Sequence, residues 1–327
     1  MIWYILRRLV NYTILTVVAS SLAYVLASLG LNPAQKFQQR NPPVPPEVIA
    51  SNLDRLGVNP EVPLLQRLGN WLVGIITRGD FGLTAGYQPV IEQIGARAGV
   101  SLQLLLVGSV LGAVLGVVLG VWGAVRQYQL SDRIVTVASY IIFALPTIVM
   151  AILLMILATW FNQAVGTQVI RFTGQYSPGI PNEFWPQFAD RVVHLLLPTL
   201  VLVLGSAASY SRYQRSAMLD VLGADYIRTA RAKGRTRGSA LVRHGVRVAL
   251  IPMSTFFAYS FGTLVAGSTM LELMFGWHGM GEMNIQAIRQ NDINSVAGAT
   301  VFVAVLILFS STLSEILYAA LDPRVRR

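Results

Sequence analysis

The chain has 327 residues, of which 54% are hydrophobic and only 12% charged, and its mean hydropathy is +0.56. Soluble domains carry roughly 25% charged residues, so this is the composition of an integral membrane protein. The absence of cysteine excludes disulfides, thiolate metal sites and cysteine nucleophiles, and the net charge of +10 bears on topology before it bears on nucleic acid.

Six charge-free stretches are long enough for the roughly 20 apolar residues that a crossing needs: 9–29, 98–125, 134–161, 192–211, 248–271 and 293–314. The first follows Arg7 and Arg8 and exceeds a signal-peptide core, so residues 1–30 read as a retained helix. Residues 31–97 read as an extracytoplasmic region with short helices. There NPPVPPEV is a Pro-rich bend, and Pro46 can open a helix running to Leu56. LLQRLGNWLVGII at 64–76 is too short to cross and carries Arg67. Leu64, Leu68, Leu72 and Ile75 recur at helical spacing, which suits a surface-lying amphipathic helix or a small buried helix of an outer domain.

The second span carries Gly108, Gly112, Gly116 and Gly120 in one row, a pattern that lets helix backbones approach. Pro146 should kink the third span by removing a backbone bond. On the fifth, Ala258, Gly262 and Ala266 form a small stripe, and Thr255, Tyr259 and Thr263 form a polar one that is a candidate lining of a translocation path. Glu315, near the inner end of the last span, is read as the one acid adjoining a crossing; it either pairs with an interfacial arginine or couples protons.

With the N-terminus inside, 16 of the 25 cations fall on the inner side and 9 on the much longer outer segments, so both termini read as cytoplasmic, with residues 321–327 as a tail. Nine inner cations lie in residues 212–247, opposed only by Asp220 and Asp225, which makes this stretch a cytoplasmic loop. Within it, Asp225 is a good N-cap and Gly234 a natural C′ residue, so Tyr226–Lys233 should form a helix of about two turns. Tyr226, Ile227 and Ala230 gather on one side, with Arg228, Arg231 and Lys233 around the rest. A lipid-touching polybasic loop and a docking helix with a small apolar face both fit.

RTARAKG at 228–234 resembles the cytoplasmic Glu-Ala-Ala loop of bacterial ABC importer permeases, in its peptide-transporter version. Arg228, Thr229 and Ala230 take the first three places. Only Ala230 and Gly234 fit the general motif, and His244-Gly245-Val246-Arg247 replaces its closing Ile-x-Leu-Pro. YILRRLVNY near the start, GDFG at 79–82, FGWHGMGE at 275–282 and DPRVR at 322–326 are similar to recurrent stretches of the oligopeptide and dipeptide permeases, B-type members included. Leu31-Asn32-Pro33 and His278 depart from that family's pattern and leave the local loop geometry open.

The resemblance implies an all-α, type I ABC importer permease with six transmembrane helices, whose core spans residues 98–320. It implies a second homologous permease (C-type), ABC ATPase subunits that hold ATP and Mg, and an extracytoplasmic peptide-binding protein as partners. The loop helix, Asp225 through Ala232 to Lys233 and Gly234, would then fit a cleft on an ATPase and carry its closure to the membrane. The chain itself has no P-loop, since Lys36 and Lys233 are preceded by Gln and Ala where the motif needs Gly, and His194, His244 and His278 are too scattered for a metal site. No catalytic residue and no cofactor are therefore expected here, and membrane lipid, not nucleic acid, is the surrounding medium. A proton-coupled secondary transporter and a lipid-binding membrane anchor are the competing classes.

Overall fold

A computed structural model describes residues 2–38 and 41–322, and the closing DPRVR lies almost wholly outside them. The named elements are helical throughout: α1 (Ile2–Gly30), α2 (Gln35–Gln38), α3 (Pro46–Leu56), α4 (Leu64–Arg78), α5 (Val90–Val125), α6 (Leu130–Ala144), α7 (Thr147–Val165), α8 (Phe184–Leu222), α9 (Asp225–Ala232), α10 (Arg237–Ala240), α11 (Arg247–Ala249), α12 (Ile251–Phe275), α13 (Met280–Arg289) and α14 (Ile293–Leu321). A single π-helical stretch, Leu241–Val246, joins α10 to α11. Among the described residues, five stretches are long and apolar enough to cross a membrane, in α1, α5, α7, α8 and α14.

The chain divides into two compact units. One runs to Leu102 and includes His278–Leu308; the other holds Gln103–Trp277 and the chain from Phe309. In the first unit, Tyr24, Phe37, Leu53, Leu56, Val58 and Trp71 form a buried cluster, against which Leu64, Leu68, Leu72 and Ile75 pack. The apolar row of α4 is therefore a half-buried helix face packed on its own unit's core. Leu65, Val73 and Ile76 lie off that row and stay exposed. Proline-opened α3 spans the expected residues and stops at Gly57, whose φ of +70° is the left-handed conformation glycine adopts without a Cβ penalty.

The second unit is organised around α8, on which α6, α7 and α12 pack. The third expected span is interrupted, not merely kinked. Helix α6 stops at Ala144, Leu145 is extended (φ −81°, ψ 127°), and α7 restarts after Pro146. Proline pushes the residue before it out of the helical region and supplies no amide donor, so the break falls there. Pro198 lies inside α8 without ending it.

The glycine row of α5 faces α8 at a four-residue register. A Cβ on Gly108, Gly112, Gly116 or Gly120 would sit 2.8, 2.5, 2.4 or 2.7 Å from the Cβ of Leu202, Ser206, Tyr210 or Gln214. Real Cβ contacts are never this short, so two backbones lie together only because four side chains are missing. Gly116→Ala should lower the thermal midpoint of the detergent-solubilised subunit. An overpacking cost of about 1–3 kcal/mol exceeds the roughly 1 kcal/mol of helix propensity gained. Gly95→Ala, on the same helix with nothing within 4 Å of the added carbon, should leave the midpoint unchanged or raise it. Equal shifts for both would mean the seam is not tight.

Candidate functional site

The basic stretch is built differently from a free loop. Helix α8 continues through Arg212 and Arg215 to Leu222, so its first two cations lie on a membrane-length helix. Arg215 forms a two-pronged ion pair with Asp132 at the start of α6, Nε to Oδ1 at 2.7 Å and Nη2 to Oδ2 at 2.8 Å. Asp132 also accepts the Tyr128 amide at 3.0 Å, and its side chain is 4% exposed. The third prominent cation, Arg247, donates to the backbone carbonyls of Leu321 and Ala320 and so closes the C-terminus of α14. Asp132 stands far from 212–247 in sequence, and only folding reveals that it opposes that charge.

Helix α9 begins at Asp225, one residue earlier than expected. Ala224 is the N-cap, and Asp225 sits in the first turn with its carboxylate exposed, 3.7 Å from Arg228. It acts on the helix dipole instead of capping an amide. The other end matches a Schellman closure: Gly234 takes φ +84°, its amide donates to Arg231 O, and the Arg235 amide donates to Ala230 O. Ile227 is buried with Ala124, Met218, Val221, Leu241 and Ala249. The apolar side of α9 thus holds the helix to its own chain, and Ala230 on the same side is half-buried. Arg228, Thr229, Ala232 and Lys233 are exposed, together with Tyr226 and Arg231, so the surface offered to a partner is mainly polar.

On α12, Thr255 is exposed and Tyr259 is 73% exposed, while the side chain of Thr263 lies outside the described residues. The helix buries a different polar set: Ser260 shares a hydrogen bond with the Tyr210 hydroxyl at 2.7 Å, and Ser254 is buried too. Glu315 is half-buried on α14. It is not the one acid beside a span, because Glu272, at the end of α12, is 1% exposed. Its place directly after the fifth apolar stretch was a signal that could have found it.

Loops are pinned by the recurrent motifs. In GDFG, the Gly82 amide donates to Asp80, and a Cβ at Gly82 would lie 2.8 Å from the Asn294 amide group. Asn294 in turn donates to the carbonyls of Leu56 and Leu83. Asn32, where the family's turn differs, accepts the Ala34 amide and closes an equivalent short turn. His278 lies 2.8 Å from Glu282. The Arg171 and Arg191 cations, read from sequence only as topology signals, also hold structure. Arg171 and Ser177 both bond the buried Asp190, and Arg191 donates to Gln103.

The Arg215 hydrogen bond holds the Asp132 carboxyl below the usual carboxylate range, against the opposing pull of burial. The stabilisation is therefore complete above the unfolded value of about 3.9 and is lost as pH falls through the lower folded value. Asp132→Asn should destabilise the subunit by about 3–5 kcal/mol at neutral pH, because Arg215 is left half-buried without its counter-charge. Wild-type thermal stability in detergent should lose this contribution only below pH of about 4, and the variant should lack that acid step. A variant as stable as wild type at pH 7 would show the pair to be dispensable.

Residues 116–327 match the family described as "Binding-protein-dependent transport system inner membrane component". The chain is 51% identical over 323 residues to the oligopeptide transport system permease protein OppB of Mycobacterium tuberculosis (strain ATCC 25618 / H37Rv), covering 99% of this chain and 98% of that one. It is 35% identical over 279 residues to the oligopeptide transport system permease protein AppB of Bacillus subtilis, covering 84% and 83%. It is 30% identical over 296 residues to the dipeptide transport system permease protein DppB of Escherichia coli (strain K12), covering 86% of each. With most of its length matched in each case, the chain belongs to the binding-protein-dependent transport system inner membrane component family.

Proposed function

We propose that this chain is one transmembrane subunit of an ATP-driven, binding-protein-dependent importer of oligopeptides or dipeptides. It forms half of the path, beside a second homologous permease. ATP and Mg bind on partner ATPase subunits, and an extracytoplasmic binding protein delivers the peptide. Membership of a binding-protein-dependent family argues against the proton-coupled alternative that Glu315 suggested. In this reading the chain crosses six times, with α12 as the fifth crossing and both termini inside.

Helix α9 carries the coupling role. The supporting observation is its construction: it is short, anchored through Ile227, closed at Gly234, and exposed on the opposite side. A helix held this way moves as a unit when its exposed face is pushed, where a solvated loop would absorb the displacement.

Ala232→Glu tests the role, because Ala232 is exposed and a new carboxylate there should not disturb the fold of the subunit. In proteoliposomes holding the whole importer, it should abolish peptide uptake and peptide-stimulated ATP hydrolysis. Arg235→Gln should change both by less than about twofold, as expected for one charge among several cations, half-buried and without an ion pair among the described residues. Normal transport by the glutamate variant would remove α9 from the coupling path.

Topology can be read separately on a natural background without cysteine. Cysteine placed at the exposed positions Ser51 or Asn182 should react with an impermeant maleimide from outside sealed cells, and at Ser239 only after permeabilisation. External labelling at Ser239 would reject the six-crossing arrangement.

A further inference from the structure

One cation on α8 is left unused by the contacts described so far. Arg212 is half-buried on α8 and lies over two aromatic rings of α6, 3.9 Å from the Phe143 centroid and 5.3 Å from that of Tyr140. Its Nε is buried without a hydrogen-bond partner, and its side chain makes no ion pair among the described residues. The residue borders a cleft of about 70 Å³ whose polar walls are Thr136, Ser139, Tyr140, Ser211 and Arg215. A water molecule needs only about 10–15 Å³ of such space, so the cleft is roomy for its size. Three of these groups are already engaged: Ser139 and Ser211 with each other, and Arg215 with Asp132. Arg212 is the cation in the cleft whose charge remains unanswered.

Its depth narrows what can answer it. Phe143 lies in the last turn of α6, beside the break at Leu145 and Pro146 and some 15 Å along the helix from Arg133. A further stretch of about 15 Å separates Arg212 from the end of α8. Arg212 directly follows the apolar stretch 192–211, and the two rings it covers belong to the apolar stretch 134–161, whereas a lipid phosphate sits at the membrane surface. Irregular backbone and charged side chains at membrane depth occur where protein or a water-filled cavity covers them. The exposed side of α8 continues from Arg212 to Tyr213, whose ring packs on Phe256 at 4.2 Å; Phe256 in turn contacts the exposed Tyr259. Two of these three rings, Tyr213 and Tyr259, are exposed and carry hydroxyls, which suits water and peptide more than acyl chains.

We propose that Arg212 is a carboxylate-recognition residue of the translocation path, receiving the C-terminal carboxylate of a peptide in transit. The planar guanidinium matches a carboxylate with two parallel hydrogen bonds, and every linear peptide with a free terminus carries one. Aromatic backing keeps the cation in place between passages, and a single such contact is weak enough to release its cargo. This inference rests on the peptide-importer reading above.

The test uses the full importer in proteoliposomes, with one tetrapeptide supplied as free acid and as C-terminal amide. The binding protein's affinity for each form is measured separately, so that its own discrimination can be divided out. Arg212→Gln should lower uptake of the free acid about tenfold, the loss expected for one charge-assisted contact, and leave uptake of the amide unchanged. Arg212→Lys should restore part of the free-acid rate. Equal loss of acid and amide, with normal assembly, would overturn the proposal. Failure of the glutamine variant to co-purify with the second permease would overturn it too, by showing that the arginine pairs with an acid of that subunit. A dependence of wild-type uptake on anionic lipid that the variant abolishes for both peptides would assign the site to a phosphate headgroup instead. If the wild-type importer moves neither form, the peptide reading itself fails, a result distinct from all of these.

Discussion

The close approach of α5 to α8 is the constraint on which the second unit depends. Lipid tails are as apolar as leucine, so burial of apolar surface drives helices together far less in a bilayer than in water. Dispersion between surfaces that fit must do more, and dispersion falls steeply with distance. Four glycines at a four-residue repeat remove the side chains that would hold the helices apart. With α5 seated, α8 becomes a fixed post against which α6, α7 and α12 are arranged. Its buried row of Leu202, Ser206, Tyr210 and Gln214 meets the glycines, which leaves its other faces to carry polar work.

That arrangement explains why the cations near the C-terminal end of α8, and after it, are not equivalent. Arg215 is half-buried, and bidentate contact with Asp132 satisfies it; a buried carboxylate without that partner would be strongly unfavourable. Arg247 stabilises carbonyls that a helix end cannot satisfy by itself. Arg212 rests on aromatic faces, a contact that offsets part of the desolvation of a guanidinium but satisfies none of its donors. The α9 cations Arg228 and Arg231, and Lys233 after them, stay in solvent, where each contributes little to stability. A single stretch of sequence therefore holds structural, solvated and unsatisfied charges side by side.

Helix α9 shows a similar division on a smaller scale. A two-turn helix is too short to persist alone in water, since nucleation is costly. Here Ile227 supplies tertiary contact and Gly234 closes the last turn, so the element survives with most of its surface exposed. The side that packs inward is the apolar one, and the residues left exposed are mostly polar or small. An amphipathic pattern reveals which face is buried without revealing whose surface buries it.

Much was legible in the chain by itself. Membrane class, the long apolar helices, the proline-opened α3, the glycine row and the terminating role of Gly234 all follow from local chemistry: hydropathy, fixed φ, or a missing Cβ. These are properties of a residue and its near neighbours, so no fold is needed to see them. Tertiary structure decided the rest. It paired Asp132 with Arg215 across 83 positions, drew Arg212 out of an apparent loop onto the rings of α6, turned the kink at Pro146 into a full break, and packed the apolar row of α4 on its own unit's core. Each of these depends on which surfaces meet. A one-dimensional pattern records that a helix has a face, but the partner for that face is set by packing between segments far apart in sequence.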